Sequence, residues 1–287
     1  MLSGVGPGVC CPEGLSGKGA GMRFTKMEGL GNDYIYLNCL KEVPEDLPGL
    51  AVRLSDRHFG VGADGLICIR PGREGDFTME MYNADGSRGA MCGNGIRCVG
   101  KYVYDKGLTR KTCLTIDTGA GPRALELHLR RGRVDQVTVD MGEPRVLPSV
   151  ELEAEGEVFS AWPVEVGNPH AVIFCPDPKV VPLERVGPVL ERSPLFPGRV
   201  NVEFAAPRDG DRLDVRVWER GSGLTLACGT GACAVLAAGV KTGRCGRKAS
   251  VHLPGGVLEL DWRREDGHIR MTGPAVTVFE AEVEESL

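Results

Sequence analysis

The sequence predicts an α+β protein with two pseudo-symmetric domains, each a mainly antiparallel, strand-rich, barrel-like layer around a central helix. Two observations lead to this fold class. The pattern Cys-Gly-x-Gly occurs at residues 92–95 and 228–231, and each copy follows strand-like alternation and opens a helical run. The copies are 136 residues apart, and Gly31-Asn32 recurs as Gly167-Asn168 at the same offset. The repeat therefore indicates two similar halves with a site between them.

The order of predicted elements is similar in the two halves. Alternating apolar residues predict strands, and longer apolar runs predict helices. The first half is predicted to have strands within 23–37 and at 66–70, 77–83, 113–118, 123–129 and 134–141, with helices at 45–56 and 95–104. The second half is predicted to have strands at 158–166, 171–174, 200–205, 213–219, 249–253, 257–262, 268–271 and 275–281, with helices at 183–192 and 231–240.

Domain limits follow from the same repeat. The first domain is predicted to span residues 22–139, completed by about 273–287, and the second to span 140–272. Residues 1–21 are rich in glycine and poor in large apolar side chains. Such a segment buries too little apolar surface to fold, so it is predicted to be a disordered or additional N-terminal extension.

Composition narrows the function classes. The chain has 287 residues, of which 42% are hydrophobic and 25% charged, with a formal net charge of −5. It has no basic run typical of nucleic-acid binding and no apolar stretch long enough for a membrane span. The eleven cysteines are scattered without a Cys-x-x-Cys pair, which predicts reduced thiols in a cytoplasmic protein and no structural zinc site.

The paired cysteines suggest acid–base chemistry. Cys92 and Cys228 each stand directly before a helix, where backbone N–H groups and the helix dipole are expected to lower a thiol pKa. One thiolate and one thiol on opposite sides of a carbon can remove and return its proton, which inverts the centre without a cofactor. Backbone N–H groups at both helix starts are predicted to hold a substrate carboxylate as negative charge builds on it. They are those of Gly93, Asn94, Gly229 and Thr230.

Six motifs together resemble the diaminopimelate epimerase family. They are Gly-Leu-Gly-Asn-Asp at 29–33, Tyr-Asn-Ala-Asp-Gly at 82–86, Met-Cys-Gly-Asn-Gly at 91–95, Gly-Asn-Pro-His at 167–170, Glu-Arg-Gly at 219–221 and Ala-Cys-Gly-Thr-Gly at 227–231. The resemblance covers about residues 22–280. It implies a pyridoxal-phosphate-independent epimerase that interconverts LL- and meso-2,6-diaminopimelate, a precursor of lysine and of peptidoglycan cross-links.

The resemblance also implies roles for individual residues. Cys92 and Cys228 would be catalytic, His170 and Glu219 would tune the thiol pKa values, and Arg220 would hold the distal carboxylate. The implied neutral substrate ligands are Asn32, Asn83, Asn168 and Asn201, with Glu219 also at the substrate. The expected partner is a small-molecule substrate, no metal is implied, and a homodimer is one expected assembly.

Two positions depart from the family pattern. Gly65 stands where some members carry a glutamine that touches substrate, so the first half is expected to lack that contact. Leu224 stands where the family usually has glutamate, which removes a carboxylate near the second helix start. The loop before Cys228 is therefore the part of the site for which the resemblance gives least guidance.

Three alternatives remain at this point. A proline or hydroxyproline racemase shares the duplicated thiols, but its first motif has histidine where this chain has Asn94, and a substrate with one carboxylate leaves Arg220 without a role. A phenazine-pathway isomerase lacks the paired thiols. A thiol redox or metal-binding protein would leave the Gly-Asn and Glu-Arg motifs unexplained.

Overall fold

The computed structural model describes residues 21–209 and 211–284. The prediction for the N-terminal extension therefore lies outside the described residues, except at Gly21. The described chain forms four helices and nineteen strands, and most of the predicted elements are present within a few residues of their expected limits.

The first half contains eight strands and two helices. In chain order they are β1 (Met22–Gly29), β2 (Asn32–Asn38), α1 (Leu47–Ser55), β3 (Gly65–Pro71), β4 (Phe77–Asn83), β5 (Arg88–Gly89), α2 (Gly93–Asp105), β6 (Cys113–Asp117), β7 (Arg123–Arg130) and β8 (Arg133–Asp140).

The second half continues with eleven strands and two helices. They are β9 (Arg145–Val146), β10 (Val150–Ala154), β11 (Glu157–Glu165), β12 (Pro169–Phe174), α3 (Leu183–Glu191), β13 (Asn201–Arg208), β14 (Arg212–Glu219), β15 (Gly223–Thr225), α4 (Gly229–Lys241), β16 (Lys248–Leu253), β17 (Gly256–Trp262), β18 (Ile269–Pro274) and β19 (Val276–Val283).

The two halves have the same strand topology. Neighbouring strands follow the order β19, β1, β2, β3, β4, β6, β7, β8 in one half and β10, β11, β12, β13, β14, β16, β17, β18 in the other. The pairs β2–β3 and β4–β6 are parallel, as are their counterparts β12–β13 and β14–β16, and the other pairs in the two series are antiparallel. Helices α1 and α3 lie 136 residues apart at both ends, and so do α2 and α4. The predicted α+β fold with a duplicated, mainly antiparallel plan is thus confirmed.

Two pairings connect the halves. Strand β8 pairs with β18, which joins both halves into one continuous sheet. Strand β19, the last element of the chain, pairs with β1, so the C-terminal segment is added to the sheet of the first half. We keep the proposed domain limits: residues 22–139 with 273–287 form the first domain, and residues 140–272 form the second. The β1–β19 pairing supports joining the final strand to the first domain.

The central helices α2 and α4 are each surrounded by strands of the sheet. Helix α2 contacts β1, β2, β7 and β8, and α4 contacts strands of the second half on several sides. Ile96, Val99 and Val103 of α2 are fully buried, and each contributes about 1.5–3 kcal/mol of transfer free energy. Cys98 and Cys233 are fully buried in the same helices, which agrees with their prediction as core residues. Helices α1 and α3 cover separate smaller cores on the outside of the sheet.

Four short strands were not predicted: β5, β9, β10 and β15. They contain two to five residues, and such short segments have too little periodicity to be separated from loops. They form because a longer neighbouring strand supplies hydrogen-bond partners, as β14 does for β15. Among the described residues, no helix is long and apolar enough to span a membrane.

Candidate active site

The starts of the two central helices meet between the halves. Cys92 and Cys228 are the N-cap residues of α2 and α4, and each Sγ accepts the N–H of the glycine three residues later, Gly95 or Gly231, at 3.3 Å. A Cβ added to Gly93 would lie 3.6 Å from the Cα of Gly229. The backbone of one helix start therefore contacts the other, and the duplicated glycines permit this approach.

Burial dominates the acidity of both thiols. Burial is the largest influence and raises the pKa of Cys92 and, more strongly, that of Cys228, and the carboxylate of Glu219 raises both further. The N–H groups of Gly95 and Gly231 lower these pKa values, but by less. The expectation of thiol pKa values below normal is therefore wrong, because desolvation of the thiolate outweighs the helix start. The shared influence of Glu219 indicates that both thiols lie near one carboxylate.

On the side of Cys92, polar groups of the first half surround the sulfur. Its Sγ lies 3.1 Å from Oδ1 of Asn32, and Asn94 Nδ2 lies 3.4 Å from the same oxygen. Tyr34, which is buried beneath the site, forms hydrogen bonds with Cys92 and Asn32. Burial and the nearby sulfur raise the pKa of the Tyr34 hydroxyl well above normal, so this group remains a hydrogen-bond donor.

On the side of Cys228, the second half provides acidic groups. Thr230 Oγ1 lies 3.5 Å from Cys228 Sγ. Glu219 accepts a 2.7 Å hydrogen bond from the hydroxyl of Thr225, and burial raises its pKa despite that bond. Glu203 is fully buried in β13, and its charge also raises the pKa of Cys228. The second thiol thus has two carboxylates nearby.

His170 is held behind Cys228 by both ring nitrogens. Nδ1 lies 2.7 Å from Oε1 of Glu203, and Nε2 lies 3.0 Å from Oδ1 of Asn168. A Cβ added to Gly231 would lie 2.7 Å from that Glu203 oxygen, so the helix start rests on this carboxylate. The histidine also lies close enough to Glu219 to lower the pKa of that carboxyl group.

Glu203 and Tyr34 were missed by the sequence analysis, although a signal existed for each. Glu203 is the acidic residue of an otherwise apolar segment of strand β13, residues 202–206. Tyr34 is the residue that maps onto His170 at the 136-residue offset. The repeat could therefore have identified Tyr34, whereas Glu203 aligns with the apolar Ile67 and could be found only from its charge within an apolar strand.

The remaining predicted binding residues occupy different environments. Arg220 is exposed, and its Nη1 donates to the carbonyl oxygen of Gly198 at 2.8 Å. Asn201 is buried and uses its amide on the backbone, accepting from Arg220 N at 2.8 Å and donating to Pro169 O at 3.3 Å. Asn83 is partly buried and donates to the Ser87 hydroxyl at 2.9 Å. Asn201 is thus placed to position the Arg220 backbone.

The two departures from the family pattern have structural explanations. A Cβ at Gly65 would lie 2.2 Å from the carbonyl oxygen of Tyr82 and 2.9 Å from Cε1 of Tyr34, so the ring of Tyr34 takes the space over this glycine. Leu224 lies in β15 opposite Trp218 and is 42% exposed, so it faces largely toward solvent. The carboxylates near Cys228 come instead from Glu203 and Glu219.

Known proteins are similar to this chain over most of its length. A family model described as Diaminopimelate epimerase matches residues 24–147 and 163–278. The diaminopimelate epimerase of Acetivibrio thermocellus is 51% identical over 276 residues, covering 92% of this chain and 99% of the relative. The diaminopimelate epimerase of Leptospira biflexa serovar Patoc is 48% identical over 278 residues, covering 92% and 99%.

Solved structures with low sequence identity share the fold. A probable proline racemase from Agrobacterium radiobacter K84, with bound carbonate, has a TM-score of 0.70 at 17% identity and covers 91% of this chain and 92% of its own. A PhzF-family phenazine biosynthesis protein from Bacillus anthracis has a TM-score of 0.69 at 17% identity, with coverages of 91% and 98%. With its duplicated fold, its paired helix-cap thiols and its similarity to these relatives over most of its length, the chain belongs to the diaminopimelate epimerase family.

Proposed function

We propose that this protein is an isomerase that interconverts LL-2,6-diaminopimelate and meso-2,6-diaminopimelate without pyridoxal phosphate, in the formation of lysine and peptidoglycan precursors. The observation that carries the proposal is the pair of N-cap thiols, Cys92 and Cys228, on two helix starts that meet between the halves. Membership of the family supports the choice of substrate.

The proposed reaction moves one proton off and one proton onto the same carbon. The thiolate of one cysteine removes the α-proton, so that the C–H bond breaks and an S–H bond forms. The thiol of the other cysteine then gives its proton to the opposite face and becomes a thiolate. The sulfurs thus exchange protonation states in each turnover, and the two directions of the reaction use them in opposite order.

Because the thiol pKa values are raised, the proposed reaction needs a substrate group that favours the thiolate. A buried thiolate is costly by itself, but a cationic α-ammonium group bound near the sulfurs would favour the charged form. As the α-carbon loses its proton, negative charge builds on the α-carboxylate. Backbone N–H groups at the two helix starts, from Gly93, Asn94, Gly229 and Thr230, would stabilise this charge.

Other side chains are assigned roles by their positions. His170 and Glu219 would tune the Cys228 thiol, and Glu203 would hold the histidine. Arg220 would bind the distal carboxylate through its guanidinium, with its backbone positioned by Asn201. The amides of Asn32, Asn83 and Asn168 would contact the zwitterionic parts of the substrate.

The proposal is tested by following the α-hydrogen in deuterated water. With LL-diaminopimelate, early meso product should carry nearly full deuterium while recovered substrate carries little, because the donating thiol exchanges with solvent and the accepting one holds substrate hydrogen. Cys92→Ala and Cys228→Ala should each lower the inversion rate by about 10²- to 10⁴-fold or more. Equal early labelling of substrate and product would point to a single base, and turnover of L-proline with none of diaminopimelate would favour the racemase alternative.

We also propose a cytoplasmic location and a homodimer. The nine described cysteines are free, and the mechanism needs two of them reduced. Strand β19 is bonded to β1 along one edge and exposes Val276, Val278 and Phe279, at 42%, 51% and 41%. An exposed apolar edge strand favours pairing with a second chain, so a second copy of this protein is the proposed partner.

A further inference from the structure

The amide of Asn32 has an orientation that its neighbours determine. Its Nδ2 donates to Oδ2 of Asp64 at 2.7 Å, and the other oxygen of Asp64 accepts from Arg57 Nη2 at 2.9 Å. A carboxylate paired with an arginine only accepts hydrogen bonds. Asn32 must therefore turn its NH₂ group to Asp64, which directs its Oδ1 toward α2.

A second chain of donors reaches the same oxygen from the other side. Arg97 is fully buried, and its Nη2 donates to Oδ1 of Asn94 at 2.9 Å. A guanidinium only donates, so Asn94 presents its NH₂ group to Asn32 Oδ1, 3.4 Å away. The same oxygen lies 3.1 Å from Cys92 Sγ, and the thiol therefore faces an acceptor.

The second half is built differently at the equivalent positions. Val200 occupies the position of Asp64 in the repeat, and Cys233 occupies that of Arg97. The Oδ1 of Asn168, the counterpart of Asn32, lies 3.0 Å from Nε2 of His170. The arrangement that turns an amide oxygen to a thiol thus belongs to the Cys92 side within the described residues.

We propose that Asp64, held by Arg57, is a positioning residue that turns the amide oxygen of Asn32 toward Cys92 and thereby keeps the proton on this sulfur. An acceptor at 3.1 Å favours the S–H form, and a thiolate at that position would face a carbonyl dipole of the wrong sign. The proposal concerns the protonation of Cys92 before substrate binds, and it rests on the proposed function in one respect: this sulfur then donates the proton in one direction of the reaction and accepts it in the other.

Several other titratable or charged groups face Cys92 and stay unchanged in the test. They are Tyr34 and Tyr36 from β2, Arg97 and Cys98 from α2, and Glu219 from the end of β14. Asp64 is linked to the sulfur by hydrogen bonds through Asn32, and its charge also raises the pKa of Tyr34, which contacts Cys92, so a control variant must separate orientation from charge.

The decisive variant is Asp64→Asn, which keeps the size of the side chain and replaces a carboxylate, which only accepts hydrogen bonds, with an amide. The Asn32 amide then keeps only the weaker 3.4 Å contact with Asn94, so the flipped form, which donates from Nδ2 to Cys92 and favours the thiolate, becomes populated. We expect iodoacetamide to alkylate Cys92 about tenfold faster at pH 7, the ratio that corresponds to one hydrogen bond, and the pH midpoint of alkylation to fall. Mass spectrometry of the Cys92 and Cys228 peptides reads both sites in one sample, and the Cys228 rate should be unchanged.

Asp33→Asn is the matched control. Asp33 pairs with Arg57 at 2.8 Å and with Lys26 at 2.8 Å, so its loss removes a charge from the same cluster without touching the side chain of Asn32. We expect its Cys92 rate to stay within about twofold of the parent, because the amide keeps its orientation. Equal acceleration in both variants would assign the effect to charge or to loosening and would overturn the proposal.

Arg57→Gln provides a second route that perturbs the fold less, because this side chain is 54% exposed. Loss of the anchor should accelerate Cys92 alkylation in the same direction by a smaller factor, about threefold. Unchanged Cys92 alkylation in Asp64→Asn with the melting temperature of the parent would overturn the proposal. If Asp64→Asn fails to fold, an unchanged rate of Cys92 alkylation in Arg57→Gln would overturn the proposal. Because no substrate is needed, this result is independent of whether the epimerase assignment holds.

Discussion

At the scale of single residues, burial and charge oppose each other throughout the site. Burial is the largest influence on Cys92, Cys228 and Glu219, and it raises all three pKa values. Thr225 and the helix-start N–H groups only partly offset it. The folded protein thus holds groups whose charged forms are costly, a condition typical of sites that move protons.

Glu219→Gln should stabilise the protein while it impairs the reaction. The folded-state pKa of Glu219 is raised, so its contribution to stability is fully present below the unfolded pKa and is lost as pH rises through the folded pKa. Glutamine does not titrate, so the melting temperature of the variant should exceed that of the parent by a margin that widens from pH 5 to pH 8. Calorimetry across this pH range measures the margin, and the epimerisation rate should fall by about 10²-fold. A margin that narrows with rising pH would contradict the assignment.

Gly65→Gln, the change toward the family pattern, should destabilise this protein. The added Cβ would lie 2.2 Å from a backbone oxygen and 2.9 Å from the Tyr34 ring, which cannot move without disturbing the hydrogen bond to Cys92. We expect a loss of about 3 kcal/mol in the free energy of unfolding by urea denaturation. Gly198→Ala is the control, since its Cβ would meet nothing within 4 Å and should change stability by about 1 kcal/mol or less. Equal stability of Gly65→Gln and the parent would show that the ring is not confined there.

At the scale of elements, the two helix starts carry the site. Helices α2 and α4 each have 13 residues and begin after a capping cysteine, and their first glycines touch. Met271 of β18 packs against both glycines and seals the contact from the sheet side. The close approach brings two sets of helix-start N–H groups to one place, which a pair of longer side chains would prevent.

Gly229→Ala should separate a packing effect from a binding effect. The new methyl would lie 3.0 Å from Sδ of Met271 and 3.5 Å from the Cα of Gly93, so the flexible methionine must shift. The melting temperature should fall. Adding Met271→Ala should make the double variant more stable than the sum of the two single effects predicts, as a double-mutant cycle measures. The value of kcat/KM should stay low in the double variant, because the methyl still occupies the proposed carboxylate position. Recovery of both stability and kcat/KM would show that the methyl only disturbs packing.

At the scale of the whole molecule, the halves are joined by strands at two places. Strand β8 pairs with β18 across the boundary, and β19 returns to β1. Arg97 adds a buried bond between the helix that carries Cys92 and the last residue of β18, since its Nε donates to Pro274 O at 3.1 Å. These links hold the two thiol-bearing helices in one relative position.

Val278→Lys should disrupt the proposed homodimer. This residue is 51% exposed on the edge strand β19, where a charge opposes pairing with a second chain. Sedimentation should show the parent at twice the chain mass and the variant at the chain mass. Val158→Lys is the control, because Val158 is 64% exposed on β11 of the second half, where it pairs with Glu153 of β10, and it should leave the dimer intact. A parent that sediments as a monomer at micromolar concentration would exclude this assembly.

The sequence by itself determined the duplicated plan and the position of the two thiols. A 136-residue repeat of Cys-Gly-x-Gly and Gly-Asn places corresponding residues in corresponding elements, and helix capping by Cys92 and Cys228 is a local property of the chain. Only the tertiary structure decided how acidic those thiols are. The pKa of a buried group depends on all the atoms around it, and Glu203 and Glu219 affect Cys228 from two other elements, the strands β13 and β14. For the same reason the sequence predicted Asn32 as a site residue, whereas the direction of its amide was set by Asp64, next to β3, and by Asn94 from helix α2.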